Sequence, residues 1–571
     1  MDFNKLAAIF EQLENTSSGN KIREILSNFF KTVPIEDIDI ICYLTLGRIR
    51  AEYEDNTLGL AEKSLIKAIA KAGAISEKKT KEITQKKGDA GLAAQEILKQ
   101  KPMTLVPVGI LTIHELHEKL KKLSQTIGTG SQEQKINLIV SMLQKTNSSG
   151  AKYVTRILLG TLRMGVANMS VLDSLAIAYT QDKSNKHYLE TAYNICPDIG
   201  IIAKTLAKNN LEGLEKIKIQ VGRPIKMMLA QRVSHLEDLK KKMPGIVSVE
   251  GKYDGERIQA HKEKSGKITL FSRRLDNNTS QFPDLVKYLK ENITADEYII
   301  EGEVLPIDKN GKPLAFQTLM QRRRKYDVEK YIKEVPVQFK VFDILYYNET
   351  QFMNKPYEQR AKKIKEIVKD TIHVRVAEKI LTDDTNKINI FFKKMLSDGY
   401  EGIMIKNLDG VYQAGTRGWN WIKWKKEYVK DMIDTFDLVI VGAFFGKGKR
   451  SGKYGALLCA AYNTETDEFE TFCKIGTGLT DKTLEELPKK LNQYKLDKKP
   501  ALLKIKKEMT PDVWFDPQIV CEVSGAEITK SPNHTTASGL ALRFPRFLTF
   551  REKNADQATT SNEIEEIFEM N

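Results

Sequence analysis

The run Glu250-Gly251-Lys252-Tyr253-Asp254-Gly255-Glu256-Arg257 follows a predicted strand and ends in a tight Asp-Gly turn. A lysine held there can act as a nucleophile once its amine has lost a proton. Free lysine titrates near ~10.4, so such a site must favour the neutral amine through burial or neighbouring cations. Alone, Lys-x-Asp-Gly is a weak signal, and an ordinary strand-end turn with an exposed lysine reads equally well.

The downstream residues change that balance. Glu301-Gly302-Glu303-Val304 puts carboxylates at the tip of a predicted strand. Glu401-Gly402-Ile403-Met404-Ile405-Lys406 opens another strand with a carboxylate and closes it with a lysine. Trp421-Ile422-Lys423-Trp424-Lys425-Lys426 alternates apolar and cationic residues, so Lys423 and Lys425 share one strand face. A nucleotide site needs this set. Carboxylates hold Mg²⁺, and cations neutralise a triphosphate and the charge that builds at the reacting phosphorus. Surface salt bridging explains either carboxylate alone, and an amphipathic sheet edge explains the Trp-Lys strand. Neither explains all of them in this order.

The elements that must position these residues change in texture along the chain. Up to about residue 213 the pattern is helical: Phe3, Leu6, Ala7, Phe10 and Leu13 recur at helix spacing, as do Ile136, Ile139, Val140 and Leu143. Near Gly222-Arg223-Pro224 short β-rich runs take over, such as Ile246–Val249, Ile268–Phe271, Tyr298–Ile300 and Val337–Phe342. Helical stretches around 283–291 and 357–369 interrupt them, giving a mixed α/β region. From about 430 the chain is again β-rich, with Leu438–Val441, Ala456–Ala460 and Ile519–Val523. Its first loop is basic, Gly446 to Lys453. Short strands over so few residues suggest a small barrel of the OB type, and a short acidic helix is predicted over Ser561–Phe568. Three domains follow: 1–213 all-α, 214–427 α/β, and 428–571 β-barrel.

Composition agrees with a nucleic-acid partner without proving one. The 571 residues carry a formal net charge of +15, which suits a polyanion but also a lysine-rich solvated surface. The five cysteines are scattered and form no CxxC pair, which argues against a disulfide framework and a zinc ribbon. No apolar stretch reaches membrane-spanning length, so a soluble intracellular protein without a membrane partner is expected.

Taken together, these motifs resemble those of the nucleotidyltransferase superfamily of ligases and mRNA-capping enzymes. Within it the chain is similar, over essentially its whole length, to the replicative ATP-dependent DNA ligases of archaea and eukaryotes. Lys252-Tyr253-Asp254-Gly255 matches the nucleotide-accepting motif. Phe271–Arg274, Tyr298–Val304, Phe342–Tyr346, Glu401–Lys406 and Trp421–Lys425 match later motifs, and Leu542–Phe547 matches the C-terminal one.

The resemblance implies a role for each matched residue. Lys252 would attack the α-phosphorus of ATP and carry AMP. Glu250 would sit by the adenine, and Phe342 would stack on it. Arg257 and Arg273 would hold the ribose and the incoming 5′-phosphate. Glu303 and Glu401 would bind the ribose and a divalent metal, Mg²⁺ or alternatively Mn²⁺. Lys406, Lys423 and Arg417 would contact phosphates, and Lys425 is a further basic position. The helical region would grip nicked duplex DNA through Lys152–Arg156 and Leu162–Val166, with Gly160 and Gly165 letting backbone amides near phosphates. A monomer that seals nicks in replication, repair and recombination, with a sliding clamp as partner, is what such a family member would be.

The C-terminal motif departs from the family in one place. The family continues into Arg-x-Asp-Lys, whereas this chain reads Arg551-Glu552-Lys553-Asn554, one residue short and without the aspartate. The resemblance gives that segment the task of orienting pyrophosphate, so the departure bears on self-adenylation rather than sealing.

Other readings share part of this evidence. An RNA ligase or a capping guanylyltransferase has the same lysine chemistry, but the large helical N-terminal region argues against both. The lack of a cysteine zinc site and of a helix-hairpin-helix array argues against an NAD-dependent ligase. A non-catalytic nucleic-acid scaffold fits poorly with intact Lys252, Glu303, Glu401, Lys406 and Lys423.

Overall fold

The computed structural model of the chain describes every residue except 17, 100–108, 234–235, 324–327, 426–433, 447–452 and 571. Lys426, most of the basic loop expected at 446–453, and the expected boundary at 427–428 therefore lie outside the described residues.

Helices from Phe3–Glu14 to Ile199–Glu215 build the N-terminal region. The first shows why. Asp2 caps it by accepting from the Asn4 N–H, and Phe3, Leu6, Ala7, Phe10 and Leu13 are all fully buried on one face. They pack into a single core with residues as distant as Leu206. The helix Ser148–Leu159 is capped by Asn147 and ends at Gly160, whose φ of 67° turns the chain out of the helix.

The middle region holds two sheets. Its strands are β1 (Leu229–Arg232), β2 (Val247–Lys252), β3 (Glu256–Lys262), β4 (Ile268–Ser272), β5 (Tyr298–Pro306), β6 (Val337–Tyr347), β7 (Thr350–Gln351), β8 (Val374–Val376), β9 (Lys379–Thr382), β10 (Gly402–Asn407) and β11 (Arg417–Lys425). One sheet runs β1-β11-β10-β2-β9, the other β4-β3-β5-β6-β7 with β8 beside β6. Helices Pro283–Asn292 and Tyr357–Ile367 pack on the second sheet, and Thr385–Ser397 on the first. The two sheets are joined tightly where the chain passes from β2 to β3, and Lys252 ends β2 at that joint.

The C-terminal region is β-rich. The strands β12 (Asp434–Phe445), β13 (Tyr454–Asn463) and β14 (Glu468–Ile475) form an antiparallel meander in an eight-stranded sheet. Val520–Gly525 pairs with β12, and Arg546–Arg551 pairs with Val520–Gly525. A parallel bridge between Thr477 and Arg546 brings the chain after β14 onto that last strand. The sheet thus curls on itself, consistent with an OB fold. The terminal helix spans Ser561–Met570.

The five cysteines are free and buried. Among the described residues no helix is long and apolar enough to cross a membrane.

Candidate active site

The glycines of the motifs are dictated by close approach. A Cβ on Gly255 would lie 2.3 Å from the Val304 carbonyl oxygen, and one on Gly402 would lie 2.2 Å from that of Trp424. The Asp-Gly turn can therefore press against β5, which carries Glu303, and the start of β10 can press against β11, which carries Lys423 and Lys425.

Register then sets the neighbours. Gly402 on β10 lies between Lys252 of β2 and Lys425 of β11. The preceding residue, Glu401, donates its N–H to the Lys252 carbonyl at 3.0 Å. Its carboxylate is consequently shared by the ammonium groups of Lys252 and Lys425. Burial opposes the charge on Glu401, but the two lysines outweigh it and hold the carboxyl well below the usual range.

Glu303 comes from the other sheet. Burial pushes its carboxyl up to about 7 despite Lys252 and Arg257, with Glu401 and Asp254 adding repulsion. Asp254 is raised in the same way by burial and by Glu401. Three carboxylates therefore feel one another around the Lys252 amine. Among the described residues no His, Cys, Asp and Glu trio forms a ready metal cage. Two carboxylates beside a phosphate site suit Mg²⁺, which commonly keeps water and substrate oxygens as its other ligands.

The cations crowd the same place. Burial holds the Lys423 ammonium well below the usual lysine range, reinforced by Arg417, Lys425, Arg232 and Lys252. Arg273 is depressed to about 10 by burial and by Arg257 and Arg551. Its Nε has no hydrogen-bond partner, and neither has that of Arg257. A buried guanidinium N–H without an acceptor is costly, and an incoming anion would relieve that cost.

Three expected residues sit differently from a simple phosphate cluster. Lys406 does not join Lys423: its ammonium pairs with Glu250 at 2.8 Å and donates to the Phe342 carbonyl at 3.0 Å. Arg417 pairs with Glu563 of the terminal helix. Arg257 donates to Glu301 at 2.7 Å and to the Met228 carbonyl at 2.7 Å, beneath the Phe342 ring. Phe342 itself is half-exposed on β6, edge-on to Trp421 at 6.1 Å.

In the helical region, Lys152 and Arg156 are also turned inward. Lys152 pairs with Glu14 at 2.6 Å, and Arg156 bridges Glu14 and Asp89 at 2.9 and 3.0 Å. These ion pairs brace the helix Ser148–Leu159. Gly165 faces the C-terminal region, where its added Cβ would lie 2.8 Å from that of Ala501.

Residues that carried no sequence signal complete the site. Tyr357 hydrogen-bonds Glu250, and Tyr412 donates to Glu301 at 2.9 Å. Each reads in sequence as an ordinary apolar position.

Comparison with known proteins agrees with this geometry. Residues 2–176 match the profile described as DNA ligase N terminus, 227–425 the ATP dependent DNA ligase domain, and 450–554 the ATP dependent DNA ligase C terminal region. A DNA ligase of Staphylothermus marinus is 42% identical, with 100% of this chain and 98% of that protein aligned. The chain belongs to the ATP-dependent DNA ligases. A DNA ligase of Saccharolobus solfataricus is 41% identical over 100% of this chain and 97% of its own length. DNA ligase 1 of Methanosarcina mazei is 39% identical over 99% of both. The match runs through all three regions of the ligase, so the helical region and the curled sheet belong to the enzyme as much as the lysine site does.

Proposed function

We propose that Lys252 is the residue that this ligase adenylates, and that its substrate is a nick with 5′-phosphate and 3′-hydroxyl ends in duplex DNA. The observation that carries the reading is the placement of the Lys252 amine on Glu401, among Lys425, Lys423 and Glu303, at the joint of the two sheets.

The chemistry is three transfers at phosphorus. The Lys252 ammonium gives a proton to solvent, the free amine attacks the α-phosphorus of ATP, a P–N bond forms as a second amine proton is released to solvent, and pyrophosphate leaves. An oxygen of the DNA 5′-phosphate then attacks the same phosphorus, and the P–N bond breaks to return the lysine. Finally the 3′-hydroxyl attacks the 5′-phosphorus, gives up its proton, and AMP departs. Each step needs alignment and charge neutralisation more than covalent help.

The residues divide that work. Glu401 holds the Lys252 amine in place. Phe342 offers its half-buried ring to the adenine, and Glu250 lies beside it, fixed by Lys406 and Tyr357. The unpartnered N–H groups of Arg257 and Arg273 face the ribose and the 5′-phosphate. Lys423, Lys425 and Arg417 neutralise phosphate charge, Arg417 after exchanging Glu563 for a phosphate. Glu303 and Glu401 would hold Mg²⁺, which supplies further charge neutralisation when bound.

The same reading assigns 1–213 to DNA binding, 214–427 to adenylation and 428–571 to the OB fold. A monomeric state, a sliding-clamp partner and an intracellular location rest on the family resemblance, the last also on five free cysteines.

ATP labelled at the α-phosphorus tests the reading. The label should join the protein, leave with sealing when nicked duplex is added, and never join a Lys252→Ala variant. Transfer only to RNA ends would move the enzyme to RNA processing, and a labelled K252A protein would end the assignment of the lysine.

A further inference from the structure

The segment Arg551-Glu552-Lys553-Asn554 lacks the aspartate of its family motif, but the fold supplies a carboxylate from elsewhere. Asp437 on β12 lies 116 residues before Lys553, and its carboxylate pairs with the Lys553 ammonium. The other carboxylate oxygen receives the Arg551 Nε at 3.2 Å. One carboxylate therefore links both cations of the shortened motif.

Its position is fixed from both sides. The Asp437 N–H donates to the Thr559 Oγ at 2.9 Å, and its carbonyl accepts from the Thr559 N–H at 2.7 Å. Across the sheet Asp437 stands opposite Glu522, and Arg551 pairs in register with Val520 on the same strand as Glu522. Glu522 lies 3.6 Å from Arg551, so Arg551 has two acidic neighbours while Asp437 is the carboxylate bonded to Lys553.

The Lys553 ammonium lies within electrostatic reach of the candidate active site. It is half-buried, and the positive charges of Arg273, Lys423, Arg417 and Lys425 press on it. Asn554 extends the contact by accepting from the Arg274 Nε at 3.2 Å. A lysine among four cations stays where it is only if an anion holds it, and the leaving pyrophosphate is the anion this place would receive.

We propose that Asp437 stands in for the missing motif aspartate and positions Lys553 and Arg551 against the pyrophosphate group during self-adenylation. This rests on the reading of Lys252 as the adenylated lysine. Asp437 is argued to act through Lys553 and Arg551, so it is a positioning residue.

The test separates the steps. In Asp437→Asn, formation of the labelled Lys252 adduct should slow by about tenfold or more, the scale of a small misplacement of a reacting group. Sealing of a nick that already carries AMP on its 5′-phosphate should be unchanged. The reverse reaction, discharge of the adduct by pyrophosphate, should need about tenfold more pyrophosphate. An aspartate inserted between Glu552 and Lys553 of D437N should restore the first step, which mere structural damage would not allow. Lys553→Met should show the same selectivity, and the double variant D437N/K553M should be no worse than K553M. A D437N enzyme that labels at the wild-type rate overturns the inference, as does equal slowing of both steps without rescue. If wild type itself takes no label, or K252A does, it is the lysine assignment that falls.

Discussion

Lys406 and Glu250 form an ion pair of 2.8 Å with each side chain only 2% exposed, directly beneath the Phe342 ring. The lysine is caged by Phe342, Tyr357 and Trp421 at 4.9, 4.5 and 4.6 Å. Such a pair adds little net stability, but losing one member strands the other charge without water. Lys406→Met should destabilise the protein by on the order of 3 kcal/mol, read as a lower melting temperature. Changing Glu250→Gln as well should recover much of that loss. A K406M protein that melts normally but binds ATP poorly would make the lysine a phosphate ligand instead.

The proposed role of Phe342 is to stack on the adenine. Base–aromatic stacking is worth roughly 1–3 kcal/mol per base, or about 5- to 150-fold in affinity. Phe342→Ala should raise the KM for ATP in adduct formation within that range, while Phe342→Tyr should stay near wild type. Equal KM values for wild type and F342A would remove the ring from the adenine site.

Much of this site is legible from local sequence, and the rest is hidden for a physical reason. Gly255 and Gly402 stand where a Cβ would strike a backbone oxygen, so their motifs record real contacts. The period of Phe3, Leu6, Phe10 and Leu13 reports one buried helix face because that face is continuous in sequence. Tyr357 and Asp437 leave no such trace. Their partners lie 107 and 116 residues away, and only the packing of sheets brings them together. The partner of Lys406 is hidden for a related reason. A lysine at a strand end reads as a free cation, and its pairing with Glu250 on the adjacent strand β2 comes only with the fold. Lys152 and Arg156 likewise look available until Glu14 and Asp89 are seen beside them.

Asp467 couples the helical region to the OB fold. Its carboxylate accepts from Ser170 at 2.9 Å and Tyr462 at 2.8 Å, with Arg23 3.8 Å away and Asp173 also near. Burial pushes its carboxyl up to about 6, more than these bonds and Arg23 pull it down, and Asp173 adds repulsion. A carboxyl raised on folding stabilises fully below its unfolded value and loses that contribution as pH rises through the folded one. Wild type should thus shed about 3 kcal/mol between pH 4 and 6 from this group. Melting curves of Asp467→Asn should lack that part of the slope. Parallel pH profiles for D467N and wild type would show that the group titrates normally.

Glu401 is a carboxylate that Lys252 and Lys425 share, so its neutral analogue should be a damaging conservative change in the site. In Glu401→Gln the two ammonium groups repel each other without a bridge, and Lys252 loses the partner that aims it. Adduct formation should fall by about 10²- to 10³-fold, the cost of removing one preorganised electrostatic partner. Lys425→Met should cost less, because Glu401 keeps Lys252. The carboxyl is held far below neutral pH, so its state does not change there, and above the range where Glu303 titrates the defect of E401Q should be the same at pH 8 and pH 9. A defect that vanished at either pH would mean that Glu401 acts by exchanging a proton rather than by holding the lysine.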